Sequence, residues 1–142
     1  DGVVRAWDTS GWERVLRENP DAGAIRAVAF SPDGSVLAAG CTDRAIRLWG
    51  MGERELIGTL RGHRGAVTSV QFHPAGPQLA SGAADGDVRV WDAMTDTCLT
   101  TLEDHVNPVA VVAWAADGAR LAAASTDGAV RVWRRTAGTP GE

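Results

Sequence analysis

A turn followed by a short strand recurs four times in the chain at a fixed interval of 42 residues. In each copy a turn aspartate precedes alternating apolar residues, which is the period-two pattern of a strand entered through a tight turn. A repeat of this length built from short strands predicts a radial or stacked array of β-sheets. The copies are DGVVRAWD at Asp1–Asp8, DRAIRLWG at Asp43–Gly50, DGDVRVWD at Asp85–Asp92 and DGAVRVWR at Asp127–Arg134.

Further strands are predicted between these copies, separated by turns such as Ser31-Pro32-Asp33-Gly34. Proline presets φ in such a turn and glycine supplies a positive φ, so the tetrapeptide is a strong turn signal. Counting strands unit by unit gives two, four, four and three. The predicted strands are the third strand within Asp1–Asp8 and an outer strand at Trp12–Arg17; Ile25–Phe30, Val36–Cys41, Ala45–Trp49 and Glu55–Leu60; Val67–Phe72, Gln78–Gly82, Val88–Trp91 and Thr97–Leu102; and Val109–Trp114, Arg120–Ala124 and Val130–Trp133.

Two dipeptides, Gly62-His63 and Trp91-Asp92, stand at the start and near the end of the middle unit. With the repeat period, they make the chain resemble the WD-repeat β-propeller family. The resemblance implies an all-β propeller of about three blades plus a partial blade, built from antiparallel four-stranded sheets. We expect a partial blade at 1–18, blades at about 24–60, 66–102 and 108–135, and a disordered, linker-like tail at 136–142.

So few blades do not complete a ring, because propellers close with typically 4–8 blades. The apolar flanks of the end sheets should therefore be bare, and bare sheet edges and faces favour association. We expect the chain to be a segment of a longer protein. Assembly of a homo-oligomer through the open blade edges is the alternative.

Charge and composition narrow the classes of partner. The chain carries 18 acidic residues and 14 basic residues, all of them arginine, for a net charge of −4. This balance argues against general binding to nucleic acid or to an anionic membrane, because both require a positive face. Abundant alanine and arginine without lysine is similar to proteins from high-GC bacteria. Cys41 and Cys98 are poorly placed to form a disulfide, which favours a reducing, cytoplasmic setting.

His63, Ser81 and Asp85 include the residue types of a hydrolytic triad. The family resemblance implies a structural role instead, in which Trp91 donates to Ser81, Ser81 bonds His63 and Asp85 holds the second ring nitrogen of His63. Such a tetrad satisfies buried polar atoms and joins two strands to the entry loop. A nucleophilic serine would need an exposed, strained turn, whereas Ser81 lies inside a predicted strand.

The other units carry only part of the tetrad. Both have alanine at the position of Ser81, and the first unit also has Asp21 in place of the histidine. We therefore expect the middle blade to be the most firmly locked. The partial tetrads are His105, Asp127 and Trp133 in the third unit and Asp43 and Trp49 in the first.

No cofactor or metal site is expected, because three histidines spread over three loops lack the spacing of metal ligands. The chain is not expected to be an enzyme. A propeller with a ligand-binding, sugar-binding or hydrolytic site in the central channel is an alternative. That alternative would require paired carboxylates on the inner strands, and the three predicted inner strands contain none.

Partners in the resembled family dock on loops that join outer to first strands and second to third strands. Of the corresponding residues here, only Arg26 is of a type enriched in interface hot spots. We interpret the chain as a protein-interaction scaffold from a larger bacterial signalling or regulatory protein, with a purely structural, ring-forming segment as a further alternative. The resemblance places partner binding at Ala24, Arg26, Thr42, Ala66, Thr68, Pro108 and Thr126.

Overall fold

The structure, a computed structural model, describes residues 4–10, 13–14, 23–52, 55–103 and 106–134. Within these ranges the chain forms β-strands and no helix, which confirms the all-β class. The strands are β1 (Trp7–Asp8), β2 (Glu13–Arg14), β3 (Ile25–Phe30), β4 (Val36–Cys41), β5 (Ile46–Gly50), β6 (Glu55–Leu60), β7 (Val67–Phe72), β8 (Gln78–Ala83), β9 (Val88–Asp92), β10 (Thr97–Leu102), β11 (Val109–Trp114), β12 (Arg120–Ser125) and β13 (Val130–Arg134).

Consecutive strands pair antiparallel into four separate sheets. Two sheets have four strands, in the orders β3-β4-β5-β6 and β7-β8-β9-β10, a third has β11-β12-β13, and β1 pairs only with β2. Each inner strand, β3, β7 and β11, shows a register shift near its first residues. The repetition of this irregularity shows that the three larger sheets are copies of one blade, and the whole is a partial propeller with open sheets.

The first, partial sheet differs from the prediction. Residues 4–6 were expected to continue the strand that ends at Asp8, but within the described residues β1 has only two residues. Glu13 and Arg14, the two described residues of the predicted outer strand, form β2. A strand forms only where its backbone is paired, and residues 4–6 have no pairing within the described part of the chain. The remaining residues of Trp12–Arg17, the tail and His105 lie outside the described ranges.

Small residues let neighbouring blades approach closely. A methyl group added at Gly40 would lie 2.6 Å from Val67 Cγ1, and one at Gly82 would overlap Val109 Cγ1. Both glycines occupy the second strand of their blade, facing the first residue of the next inner strand. Close contact between neighbouring blades therefore requires glycine, which has no side chain, at these two positions.

Apolar side chains fill the space between blades. Leu48 of one blade packs with Val70 and Phe72 of the next, and Val90 packs with Val112 in the same way. The partial sheet also takes part, because Val4 and Ala6 pack with Leu37, Ala39 and Trp49. Each blade thus buries its apolar faces against its neighbours rather than within itself.

Apolar side chains are exposed on the first complete blade and on the last blade. Val28 is 58% exposed, whereas Val70, its counterpart one repeat later, is 7% exposed. At the other end Val130 is 68% exposed, whereas its counterpart Val88 is completely buried. We call these faces the first open flank (Val28 and Phe30) and the last open flank (Val130 and Val132). Both are apolar surfaces of the kind that a further blade covers elsewhere in the chain.

Candidate functional site

A chain of hydrogen bonds crosses the middle blade. Trp91 Nε1, on β9, donates to Ser81 Oγ, on β8, at 2.8 Å. Ser81 Oγ lies 2.7 Å from Nε2 of His63 in the loop that enters the blade. Nδ1 of His63 lies 3.1 Å from Oδ2 of Asp85, in the turn between β8 and β9. The four residues expected to form the tetrad thus make a chain in which each residue lies within hydrogen-bonding distance of the next.

The donor inventory assigns the protons. An ionised carboxylate can only accept, so Nδ1 of His63 donates its proton to Asp85, and Nε2 of the neutral ring is then an acceptor. Ser81 Oγ therefore donates its hydrogen to Nε2 and accepts from the indole N–H of Trp91. Every polar atom in the series is satisfied when the imidazole is neutral.

Burial and charge act together on the ionisable pair. Burial lowers the pKa of His63, and this outweighs the opposing attraction of Asp85. Burial alone would raise the pKa of Asp85, but hydrogen bonds from the backbone N–H groups of Arg64 and Asp87 and from His63 bring it below its usual value. These backbone bonds are 2.7 Å and 2.9 Å long. The site therefore favours a neutral imidazole beside a carboxylate.

Access decides what this arrangement can do chemically. Ser81 is completely buried in the middle of β8. A substrate carbonyl cannot reach Oγ, which is already hydrogen-bonded to Trp91 and His63. The geometry ties β8, β9 and the entry loop together instead.

The turn aspartate of the first complete blade uses another partner. Arg47 donates to both carboxylate oxygens of Asp43, at 3.0 Å and 2.6 Å. Hydrogen bonds from Arg47 chiefly lower the pKa of Asp43. Trp49, predicted to belong to a partial tetrad, packs against Ala39 at the position where the middle blade has Ser81.

Asp127 of the third blade is held differently again. It accepts hydrogen bonds from the Ser125 hydroxyl, from the Ala129 backbone N–H and, at 2.7 Å, from Asn107 Nδ2. Led by the bond from Ser125, these contacts lower the pKa of Asp127 to about 2. Trp133 is half-buried at the end of the same sheet. The predicted histidine partner, His105, lies outside the described residues.

The residues expected to bind partners lie at one end of the sheets, where strands enter from the preceding blade and where the turns from second to third strands lie. Ala24, Arg26 and Thr126 are exposed, and Ala66 and Pro108 are half-buried. The hydroxyls of Thr42 and Thr68 are engaged internally, because Thr42 accepts from Ala24 N and Thr68 donates to backbone carbonyls. We call the set Ala24, Arg26, Thr42, Ala66, Thr68, Pro108 and Thr126 the loop-end surface.

Sequence reasoning missed two residues at this end. Asp87 is buried, 3.3 Å from Arg64 Nη2 and 3.7 Å from Arg89 Nη2. Arg44 has a φ of 76°, whereas Gly86 and Gly128 stand at the same turn position in the other two blades. The signal for Arg44 was present, because an arginine replaces the turn glycine in one copy of the repeat. No such signal distinguishes Asp87 from an ordinary exposed turn residue.

Other sites are not apparent in the described part of the chain. No three residues among its histidines, cysteines, aspartates and glutamates are grouped so that they could ligate a metal. It also contains no apolar helix of membrane-spanning length. Cys41 is buried, Cys98 is exposed, and neither forms a disulfide.

A family model described as "WD domain, G-beta repeat" matches residues 13–50, 54–92 and 96–134. Among curated proteins, the chain is 51% identical over 39 residues to the general transcriptional corepressor TUP1 of Saccharomyces cerevisiae, and 39% identical over 57 residues to eukaryotic translation initiation factor 3 subunit I of Aspergillus niger. These matches cover 28% and 40% of this chain but only 6% and 17% of the two relatives. Both relatives are fungal, so they give no support to the bacterial origin expected from composition.

Proposed function

Because the chain belongs to the WD-repeat family, we propose that it is a non-catalytic protein–protein interaction scaffold that binds partners on the loop-end surface. One observation carries the proposal. The polar groups of the middle-blade tetrad bond one another inside the fold, while Ala24, Arg26 and Thr126 remain exposed at the same end of the first and third of the three larger sheets. Loops presented at one end of a set of packed sheets are suited to recognition.

The relatives support the same reading. By name, one is a transcriptional corepressor and the other is a subunit of a translation initiation factor. Neither name denotes an enzyme. We infer that this chain likewise acts through assembly with other proteins, and that it does so in a reducing, cytoplasmic setting. The Arg- and Ala-rich composition supports, as a further proposal, a larger bacterial signalling or regulatory protein as its host.

Affinity capture tests the loop-end surface. Proteins captured from an extract of the source organism are compared between the unmodified chain and the variants Arg26→Glu and Thr126→Arg, which alter two ends of the surface. Each captured protein is then titrated individually by calorimetry. We expect one or both variants to lose binding, because charge reversal or added bulk disrupts a docked interface.

Arg120→Glu serves as the matched control. Arg120 is exposed at the opposite end of the sheets, so it changes charge equally without touching the loop-end surface. Undiminished binding of every partner to both loop-end variants, or an equal loss in the control, would remove this surface from consideration.

A structural, ring-forming role is a second candidate, favoured by the two open flanks. Val28 and Val130 expose faces that are buried at the equivalent positions of inner blades. A second copy of the chain is one way to cover them. In that case the mass in solution, measured by light scattering, would exceed that of one chain.

A further inference from the structure

Four exposed arginines lie at the loop end of the first two complete blades: Arg26, Arg44, Arg61 and Arg64. We propose that this arginine cluster binds an acidic peptide segment of the protein partner. The inference rests on the proposed scaffold function and names the chemical class of partner that the surface accepts.

Backbone contacts bring the contributing segments together. Ala24 N donates to Thr42 Oγ1 at 3.0 Å, and Thr42 N donates to the Ala24 carbonyl at 2.9 Å. These bonds join the start of β3, which carries Arg26, to the turn that carries Arg44. Leu60, the last residue of β6, pairs with Ile46, the first residue of β5, so Arg61 follows a strand end that lies beside this turn.

Three of the described acidic residues at this end of the two blades are already engaged, whereas Glu103, which follows β10, is exposed. Asp43 is paired with Arg47, and Asp85 accepts from His63. Asp87 is buried between Arg64 and Arg89. Within the described ranges, the guanidinium groups of Arg26, Arg44 and Arg61 therefore have no hydrogen-bonded carboxylate. Their positive charge is available to a ligand.

Arg44 is the most informative member of the cluster. Its φ of 76° lies in the left-handed region, where glycine is tolerated and a side chain is strained. The equivalent residues, Gly86 and Gly128, have φ values of 85° and 91°. An arginine is thus held where glycine would fit the backbone better. A residue kept at such a cost in an exposed turn points to a role for its side chain.

The surroundings favour a peptide over a nucleic acid. The chain has a net charge of −4, and Asp33, Asp96 and Asp117 are exposed in turns at the opposite end of the sheets. A long polyanion would be repelled by this background, whereas a short acidic segment can lie on the cluster alone. Guanidinium groups also pair with carboxylates in a bidentate geometry.

Aromatic stacking, the other requirement of single-stranded nucleic acid, has no support at this end. The exposed aromatic side chains among the described residues are Trp7 and Phe30. Both stand at strand ends that point away from the arginine cluster. Carboxylates are therefore the anions that this surface fits.

The test uses a fluorescein-labelled octaglutamate peptide and measures fluorescence anisotropy at low and at physiological salt. We expect saturable binding to the unmodified chain that weakens as salt rises. Arg44→Gly should weaken binding about threefold or more, and Arg44→Gly combined with Arg61→Gln about tenfold or more, since each removes a charged hydrogen-bonding group. Because Arg44→Gly relieves the backbone strain, its melting temperature should rise while its affinity falls.

Arg120→Glu is again the control and should leave octaglutamate binding unchanged. The inference is overturned if the unmodified chain does not bind octaglutamate, if Arg44→Gly binds as tightly as the unmodified chain, or if the control loses as much affinity. Equal or tighter binding of a labelled oligothymidine of the same charge would identify a nucleic-acid surface and would also overturn it.

These results are separable from the fate of the scaffold proposal. If captured proteins depend on Thr126 while octaglutamate does not bind, the scaffold stands and the acidic class of partner is wrong. If octaglutamate binds through Arg44 and Arg61 but no protein depends on the loop-end variants, the scaffold proposal fails on its own test.

Discussion

At the scale of single residues, one turn aspartate is stabilised in three different ways. Asp43 is held by Arg47, Asp85 by His63 and two backbone N–H groups, and Asp127 by Ser125 and Asn107. The side chain of Asp85 is 5% exposed, whereas that of Asp43 is 32% exposed. The same position therefore contributes unequally to stability from blade to blade.

We predict that Asp85→Ala destabilises the fold more than Asp43→Ala. Removal of Asp85 leaves the Nδ1–H of His63 and two backbone N–H groups without an acceptor, at a cost of about 3 kcal/mol. Water can replace the half-exposed Asp43 beside Arg47, so that loss should be nearer 1 kcal/mol. Thermal unfolding of both variants measures the difference, and equal shifts in melting temperature would argue against the tetrad.

A pH dependence follows from the lowered pKa of His63. The imidazole is neutral in the fold but takes up a proton more readily in the unfolded chain, where histidine has its ordinary pKa of 6.5. The unfolded state then binds more protons as the pH falls below that value, so stability decreases on acidification. The slope is at most about 1.4 kcal/mol per pH unit for one proton.

His63→Gln should flatten this dependence between about pH 7.5 and pH 5.5. Melting temperatures of the variant and the unmodified chain across that range provide the measurement. Asp85 acts in the same direction, because its pKa is also lowered, but its effect begins only near and below its ordinary value of 3.8. An unchanged slope in the variant would show that His63 does not carry the effect.

The family resemblance, rather than any local pattern, led us to expect the tetrad, and its four residues lie within hydrogen-bonding distance of one another in the middle blade. The groups that bond the turn aspartates of the other two blades could not be predicted from the sequence. Arg47 and Arg89 occupy the same position in the repeat, yet Arg47 pairs with Asp43, whereas Arg89 lies 3.7 Å from Asp87 and 6.0 Å from the Trp91 ring. The direction of the arginine side chain, rather than the residue type, determines which partner the arginine contacts.

At the scale of strands, close approach between blades depends on glycines in the second strand. A methyl group at Gly82 would overlap Val109 Cγ1 and lie 3.1 Å from Val112 Cγ1. The equivalent residue of the third blade is Ala124, which faces no further blade in the described structure. The three positions thus differ in packing although they are equivalent in the repeat.

We predict that Gly82→Ala destabilises the fold by about 2 kcal/mol through overpacking. Gly40→Ala should behave similarly, because its added methyl would meet Val67. Ala124→Gly is the control and should cost less than about 1 kcal/mol, the usual effect of glycine in a strand. Denaturant unfolding of the three variants provides the comparison, and a neutral Gly82→Ala would contradict the packing between these blades.

Strand positions were largely predictable at this scale, because alternating residues and turn signals recur with the repeat. Val36–Cys41 and Val67–Phe72 were predicted with the bounds that the structure has. The prediction was wrong at residues 4–6, which precede β1 and form no strand. Strand pairing depends on the neighbouring strand, and a local sequence pattern carries no information about that neighbour.

At the scale of the whole molecule, the two open flanks dominate the behaviour expected in solution. Val28, Phe30, Val130 and Val132 are each more than half exposed. Contiguous apolar surface of this kind promotes association in monomeric proteins. The equivalent residues of the inner blades are buried against a neighbouring blade.

We predict that light scattering finds a mass above 14.9 kDa that rises with protein concentration, and that a hydrophobic dye binds the chain. Val130→Arg should reduce both effects, because it places charge on the last open flank. Val106→Arg, at a loop residue that is 93% exposed, is the matched control and should change neither. A monodisperse species of 14.9 kDa without dye binding would contradict this account of the flanks.

The arrangement of the sheets also sets a gradient of local opening. The sheet β7-β8-β9-β10 lies between the four-stranded sheet β3-β4-β5-β6 and the three-stranded sheet β11-β12-β13, and it holds the complete tetrad. Amide protons at its centre should therefore be the slowest to exchange with solvent, while β3 and β13 open first. A ligand that seats on either end would slow exchange there, so the position of new protection would report where along the array the molecule is engaged.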